Sequence, residues 1–351
     1  MRPLRILTWH VHGNYLWYLS HVPHEIVLPV RPGRPHGYGG RAGAFPWPAT
    51  VREVPADRIG EIDVDVVVYQ SHDHWRVDRH RILSDAQRAL PQVVVEHDPP
   101  RRSPTDTRHP VDDPGALIVH VTAFNQLMWD CGATPTTVIE HGVVVPDGVR
   151  YRGQLVRGLA VVNGLAARGR RLGADVFARA RDEVALDLVG MASEEIGGLG
   201  EVSPPDLPRF MADYRFYFHP VRYTSLGLSL CEAMTVGLPV VGLATTELPT
   251  IIEDGVNGFA GTDPARLIDA MRTLLADPGL ARWIGAAGRA TALERFSIDR
   301  FVRDWDRLLR DVCGPVGAVA PAGRGTAVAE PAPAVPAGRF SAASPRGTRP
   351  A

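Results

Sequence analysis

The sequence predicts an α/β protein made of two doubly wound parallel-sheet units in tandem. Three observations carry this. Apolar runs of strand length alternate with helical patterns along residues 1–313. The alternation breaks at "VVPDGVRYRGQ", residues 144–154, and starts again. The chain has 351 residues, 45% hydrophobic and 22% charged, enough for two ordinary soluble cores.

In the first unit "RILTWHV", "DVVVYQ", "QVVVEH", "ALIVHV" and "TTVIEHGV" read as buried parallel strands, with helices near 81–90 and 123–131. Between them "RPGRPHGYGGRAGAFPW", residues 31–47, is too long for an ordinary connection, so it is a functional flap or a mobile excursion. In the second unit "LVRGLAVVNG", "ALDLVGM", "DYRFYFHP", "LPVVGLA" and "NGFAG" read as strands. Helices are expected at about 171–182, 205–213, 225–236, 264–276 and 279–294. Ligands of such folds bind beyond the carboxyl ends of strands, and the cleft between two units is the expected site.

The formal net charge is −1, so no global field favours nucleic acid or an anionic membrane. Every fixed side-chain cation is an arginine, because the chain has no lysine. The three cysteines lack metal or redox spacing and fit a reducing cytoplasm, no metal or cofactor is expected, and the start has no signal-peptide pattern. No apolar run approaches the length of a membrane span. Residues 314–351, rich in Pro, Ala, Gly and Arg, are expected to be a disordered tail whose four arginines leave peripheral contact with an acidic partner or lipid headgroups open.

"YTSLGLSLCEAMTVGLPVV", residues 223–241, reads as turn, helix and buried strand. Ser225 is the expected cap, with Gly237 and Pro239 as the stop. A helix start with small groups offers N–H donors and a positive dipole end to a phosphate, and Thr224, Ser225, Leu226, Gly227 and Leu228 supply one. Glu232, the single acid of this apolar helix, can accept both hydroxyls of a ribose. A second phosphate element is expected in "VVNGLAARGRRLG", residues 161–173, where Gly164 makes the turn and Arg168, Arg170 and Arg171 offer forks for diphosphate oxygens. Singly, each of these has an ordinary structural alternative: a packing glycine, a solvated basic face, an acid on a wet helix stripe.

With these residues in view, segment 219–259, "HPVRYTSLGLSLCEAMTVGLPVVGLATTELPTIIEDGVNGF", resembles the donor-binding signature of retaining glycosyltransferases of family 4, on the GT-B fold. The likeness extends loosely through 161–177 and through the C-terminal helices. It implies a GT-B architecture with an interdomain cleft: an N-terminal acceptor domain over 1–148, a nucleotide-sugar domain over 155–295, and a helix over 296–313 packing back on the first domain. It implies that Glu232 binds the ribose. The family pairs that acid with another eight positions earlier, which contacts the transferred sugar; position 224 here is Thr. Thr245 and Thr246 replace a Gly-Gly turn, and Thr250 a frequent Glu. The resemblance also implies that Arg168 stabilises the leaving diphosphate and that His97, at the end of "QVVVEH", lies near the donor sugar.

The first unit is expected to supply the acceptor surface. His10 and His12 would point the same way along a strand, with Gly13 and Asn14 forming the turn after it. His72 and His74 have H-x-H spacing but no further ligands in known positions, so they read as a polar cluster; His141 reads as structural. The expected function is transfer of a sugar, with retention, from a nucleotide sugar to an unidentified saccharide, lipid or small-molecule acceptor. A catalytically weak nucleotide-sugar-binding protein on the same fold is the alternative, motivated by Thr224; a sugar-nucleotide epimerase ranks third. A dehydrogenase is disfavoured, because no G-x-G-x-x-G follows the first strand.

Overall fold

The computed structural model describes residues 2–11 and 13–314. The first half holds seven parallel strands: β1 (Arg5–Thr8), β2 (Glu25–Val30), β3 (Val51–Pro55), β4 (Val66–Tyr69), β5 (Gln92–Glu96), β6 (Ala116–His120) and β7 (Thr136–Val138). Their order is β3-β2-β1-β4-β5-β6-β7. β4 and β5 are buried along their whole length, as strands covered on both faces must be. β2 and β3 escape the apolar-run reading. Pro29 interrupts one, and Arg52 and Glu53 break up the other at the sheet edge.

Helix α1 (Gly13–Leu19) follows β1, so Gly13 and Asn14 open a helix and do not form the expected turn. β1 ends at Thr8, which removes His10 from the strand as well. His10 instead bridges to Gly37 and Tyr38, its Nδ1 lies 2.5 Å from the Gly40 carbonyl, and His12 lies outside the described residues. The long loop over 31–47 is thus folded onto the end of β1. Tyr38 is buried, and Phe45 stacks on Trp17 of α1 at 5.6 Å. A Cβ on Gly13 would sit 3.1 Å from the Phe45 ring, so this helix start is closely covered by the loop. The helix expected at 81–90 begins earlier, as a π-helical turn His74–Asp78 running into α2 (Arg79–Ile82). It breaks before Ser84, which caps the short α3 (Asp85–Arg88) through a capping box. α4 (Ala123–Met128) is capped by Thr122.

The second half has five parallel strands, β8 (Leu155–Val161), β9 (Leu186–Val189), β10 (Tyr214–His219), β11 (Val240–Leu243) and β12 (Phe259–Gly261), in the order β12-β11-β10-β8-β9. The helix expected at 171–182 is two helices, α5 (Leu165–Leu172) and α6 (Ala174–Glu183), parted by Gly173 at φ 83°. Gly173 has no room for a side chain, since a Cβ would fall 1.9 Å from the Pro220 carbonyl. Then come α7 (Leu207–Met211), α8 (Leu228–Val236), α9 (Pro264–Ala276), α10 (Pro278–Arg295) and α11 (Ile298–Cys313).

One apolar core runs through both halves. Phe301 and Trp305 of α11 are fully buried and share it with Tyr15 of α1 and Met234 of α8. Tyr15 meets Phe301 edge-on at 5.7 Å. Gly142, after β7, is pressed on Phe301, where a Cβ would stand 2.2 Å from that residue's own Cβ. Arg295 pairs with Glu140, and Arg300 donates to the Glu140 carbonyl at 2.8 Å. Among the described residues no helix is long and apolar enough to cross a membrane. Apart from Gly314, the tail expected over 314–351 lies outside the described residues.

Candidate functional site

In both sheets the strand order reverses beside the first strand, at β1/β4 and at β8/β10. Crevices open at such points beyond the strands' carboxyl ends. In the second half that end carries Gly164, after β8, and residues 220–228, after β10. Gly164 caps α5 in the left-handed region, at φ 59°. The segment 222–227 is irregular, and α8 begins at Leu228 with Gly227 in extended conformation before it. Ser225 is therefore not the cap: its Oγ accepts from Asn125 Nδ2 of α4 at 3.2 Å, tying the loop to the first half. His141 Nε2 lies 3.0 Å from the Leu226 carbonyl and holds the same loop. A Cβ on Gly227 would meet only Ser229 Oγ, at 3.7 Å, so the glycine leaves the approach to the α8 N-terminus open. The N–H groups of that first turn have no partner within the helix.

Glu232 does not lie on a wet stripe. It is fully buried, one turn inside α8, and Tyr18 of α1 donates to its Oε1 at 2.5 Å. Its Oε2 is equally buried and has no hydrogen-bond partner among the described residues. Burial pushes the carboxyl up to about 7, against the opposing pull of the Tyr18 hydroxyl. A buried carboxylate oxygen without a partner is costly, so this acid is poised to accept donors brought by something else.

The three arginines of the α5 region separate. Gly169, at φ 55° and ψ −137°, kinks α5 between Arg168 and the two that follow. Arg170 is exposed and paired with Asp175 at 2.6 Å, beside the Arg222–Asp175 pair, so its charge is already matched by a carboxylate. Arg168 is exposed and Arg171 half-buried, and neither has an ion pair among the described residues. Burial, then Arg101 of the first half and Arg168, push Arg171 down, with Asp98 opposing. The cations at the boundary between the halves without an ion pair among the described residues are therefore Arg168 and Arg171, with the Arg101–Asp98 pair, at 2.5 Å, beside Arg171. Tyr223 fixes that boundary by donating to the Pro100 carbonyl at 2.9 Å. Arg101 lies in a loop of mixed charge with no motif, and nothing in the sequence singles it out.

Thr224 is half-buried, and Thr245 Oγ1 donates to the Val221 carbonyl at 2.9 Å. Thr246 sits at φ 52°, a left-handed conformation where β-branched residues are strained. Glu247, which sequence reasoning missed, is buried: it accepts from the Phe124 N–H of α4 at 2.8 Å and from Thr250 Oγ1 at 2.9 Å. His97 lies at the end of β5 with Nε2 2.9 Å from Gln70 Oε1 and its ring edge-on to Tyr15 at 4.6 Å. It lines a cavity of about 410 Å³ on the first half, together with His72, Glu96, Asp98, Arg101 and Trp129. His74 is apart from this cavity: it stacks on Trp9 at 4.8 Å, and burial lowers it to about 3. His10, Gly13 and Asn14 are half-buried beneath the loop over 31–47.

Residues 172–277 match the family described as glycosyl transferases group 1. A stretch of 104 residues is 39% identical to D-inositol 3-phosphate glycosyltransferase of Xylanimonas cellulosilytica, covering 28% of this chain and 25% of that one. The O-antigen chain mannosyltransferase B of Escherichia coli is 39% identical over 75 residues, 21% of this chain and 20% of its own. The chain thus spans about a quarter or less of the length of these curated relatives. Likeness of structure is much wider. The sucrose-phosphate synthase of Thermosynechococcus elongatus superposes with a TM-score of 0.65 at 16% identity, over 88% of this chain and 98% of that one. The Anabaena HepE protein, solved in complex with UDP and glucose, gives 0.59 at 16%, over 87% and 99%. The fold is GT-B: two Rossmann-like, doubly wound parallel-sheet domains with a cleft between them.

Proposed function

We propose that this protein is a glycosyltransferase that moves a sugar, with retention, from a nucleotide sugar to a hydroxylated acceptor. The observation that carries the donor half is Glu232, a buried carboxylate on α8 with one oxygen unpartnered, one turn inside a helix whose N-terminus is open. In this reading the ribose hydroxyls donate to Glu232. The diphosphate lies on the α8 N-terminus, at Thr224, Ser225, Leu226, Gly227 and Leu228, and against Arg168 and Arg171. As the sugar–phosphate bond breaks, negative charge grows on the diphosphate, and N–H groups and guanidiniums already in place stabilise it. Arginines take the part a divalent cation would play, so no metal is required. HepE was solved with UDP and with UDP-glucose, which makes UDP the first nucleotide to test.

The Tyr18 bond occupies Glu232 Oε1 from the first half, so donor binding requires that hydroxyl to yield or to share the carboxylate with the ribose. A second reading, a nucleotide-sugar-binding protein with little turnover, is favoured by Thr224, a neutral and shorter side chain where family 4 carries an acid. Incubation with a panel of UDP-, GDP- and ADP-sugars, followed by release of the nucleoside diphosphate, separates the two. Release with one donor supports the enzyme; tight binding without release of any nucleotide supports the second reading.

A further inference from the structure

The cavity on the first half contains a cluster that donor binding does not use. Glu96, at the end of β5, is 6% exposed, and its Oε2 lies 2.5 Å from His72 Nε2 and 3.0 Å from His109 Nε2. Its Oε1 accepts from the Asp98 N–H at 3.0 Å. Burial alone would raise this carboxyl. The two imidazoles and the Asp98 N–H override it and hold Glu96 well below the usual carboxylate range. Glu96 is therefore an ionised acceptor between two ring N–H donors.

The three side chains offer ligand atoms within 4.8 Å of one another, a spacing that would also suit a metal ion. The tautomer of His109 argues against that use. Its Nδ1 accepts from the Val111 N–H at 3.1 Å, so in the neutral ring the proton is on Nε2. A metal at Nε2 would drive that proton to Nδ1, against the Val111 N–H. His109 is fully buried and works as an anchor for Glu96. His72 is different, since it is 35% exposed and lines the cavity. In the neutral ring that donates its Nε2 proton to Glu96, the lone pair is left on Nδ1. Trp129, whose ring lies 5.8 Å from His72, adds an aromatic wall, braced by its own N–H on the Asp98 carbonyl at 2.8 Å.

We propose that this cavity is a polyol site in which His72, oriented by Glu96 and His109, accepts a hydrogen bond from a ligand hydroxyl at Nδ1. A volume of about 410 Å³ is near the lower end for small-molecule sites and fits one sugar-sized ring better than an extended chain. Because the Arg101–Asp98 pair lines this cavity and stands beside Arg171 at the domain boundary, the ligand is the sugar acceptor of the proposed transfer, and that identity rests on the glycosyltransferase reading.

The test uses the full chain and two separate titrations. D-glucose, D-mannose and myo-inositol are followed by saturation-transfer NMR, with and without UDP, and UDP is followed by calorimetry. At least one polyol should bind wild type, and His72→Ala should weaken it at least tenfold with UDP affinity unchanged, while its melting temperature falls because the buried Glu96 loses a partner. His72→Gln, which keeps a donor for Glu96 and an acceptor for the ligand, should recover part of the loss. Absence of polyol binding to wild type, or equal binding by His72→Ala, overturns the proposal. So does a Zn²⁺-induced rise in melting temperature that wild type shows and His72→Ala lacks, which would mark a metal centre. Polyol binding that depends on His72 without any UDP binding would leave this site standing and remove the donor assignment instead.

Discussion

At the scale of the residue, Glu232 should control stability as well as binding. Its carboxyl is raised to about 7 in the folded protein against 4.5 for the ordinary group. The folded state then binds the proton more tightly than the unfolded chain does. Stability from this group is complete below about pH 4.5 and is lost as pH rises through about 7. The loss is on the order of 3 kcal/mol. Glu232→Gln, neutral at every pH, should flatten the fall in melting temperature over that window; equal slopes for variant and wild type would mean the carboxyl is not buried as described. Thr246 offers a test at the neighbouring turn. At φ 52° its strain is roughly 1 kcal/mol or more, so Thr246→Gly should be neutral or stabilising despite glycine's entropy. A clear drop in denaturation midpoint would contradict the left-handed assignment.

The elements show what the sequence could and could not reveal. α8 was legible nearly whole, because its apolar run, its Gly237 stop and the following buried strand all agree. Its start was misread by three residues: Ser225 is a common capping type, but its hydroxyl bonds to Asn125, 100 positions away, which no local pattern encodes. α1 was missed because a Gly-Asn pair reads as a turn, and the aromatic run behind it lacks a polar face. The basic stretch of α5 was visible as charge, but its division at Gly169 was not. Only the fold shows that Arg170 belongs to Asp175 and that the Arg101–Asp98 pair stands beside Arg171. From this division, Arg168→Ala or Arg171→Ala should cost UDP about tenfold or more in affinity and leave uridine unchanged, since a guanidinium on a phosphate is a charged hydrogen bond worth roughly 1.5–3 kcal/mol. Arg170→Ala should change neither. Parallel losses for UDP and uridine would remove these arginines from the diphosphate.

For the whole molecule, the alternation of strand and helix signals made the two-sheet architecture readable, while the long-range seam was not. Phe301 and Trp305 could be placed on an amphipathic helix, but their burial against Tyr15 and Gly142 depends on how the chain returns. Trp305→Ala should cost roughly 3–5 kcal/mol, and because one core runs through both halves it should lower their unfolding together in calorimetry. Loss of a single early transition would show the halves to be energetically separate. The proposed donor site at α8 carries the functional reading, and one titration reaches it: UDP against 2′,3′-dideoxy-UDP, by calorimetry, on wild type and Glu232→Gln. Wild type should bind UDP at least tenfold more tightly than the dideoxy analogue, the equivalent of about 1.4 kcal/mol, and Glu232→Gln should lose most of that preference. Equal affinities in wild type, or no binding of UDP, GDP or ADP at all, would contradict the assignment of Glu232 to a ribose and with it the proposed donor site.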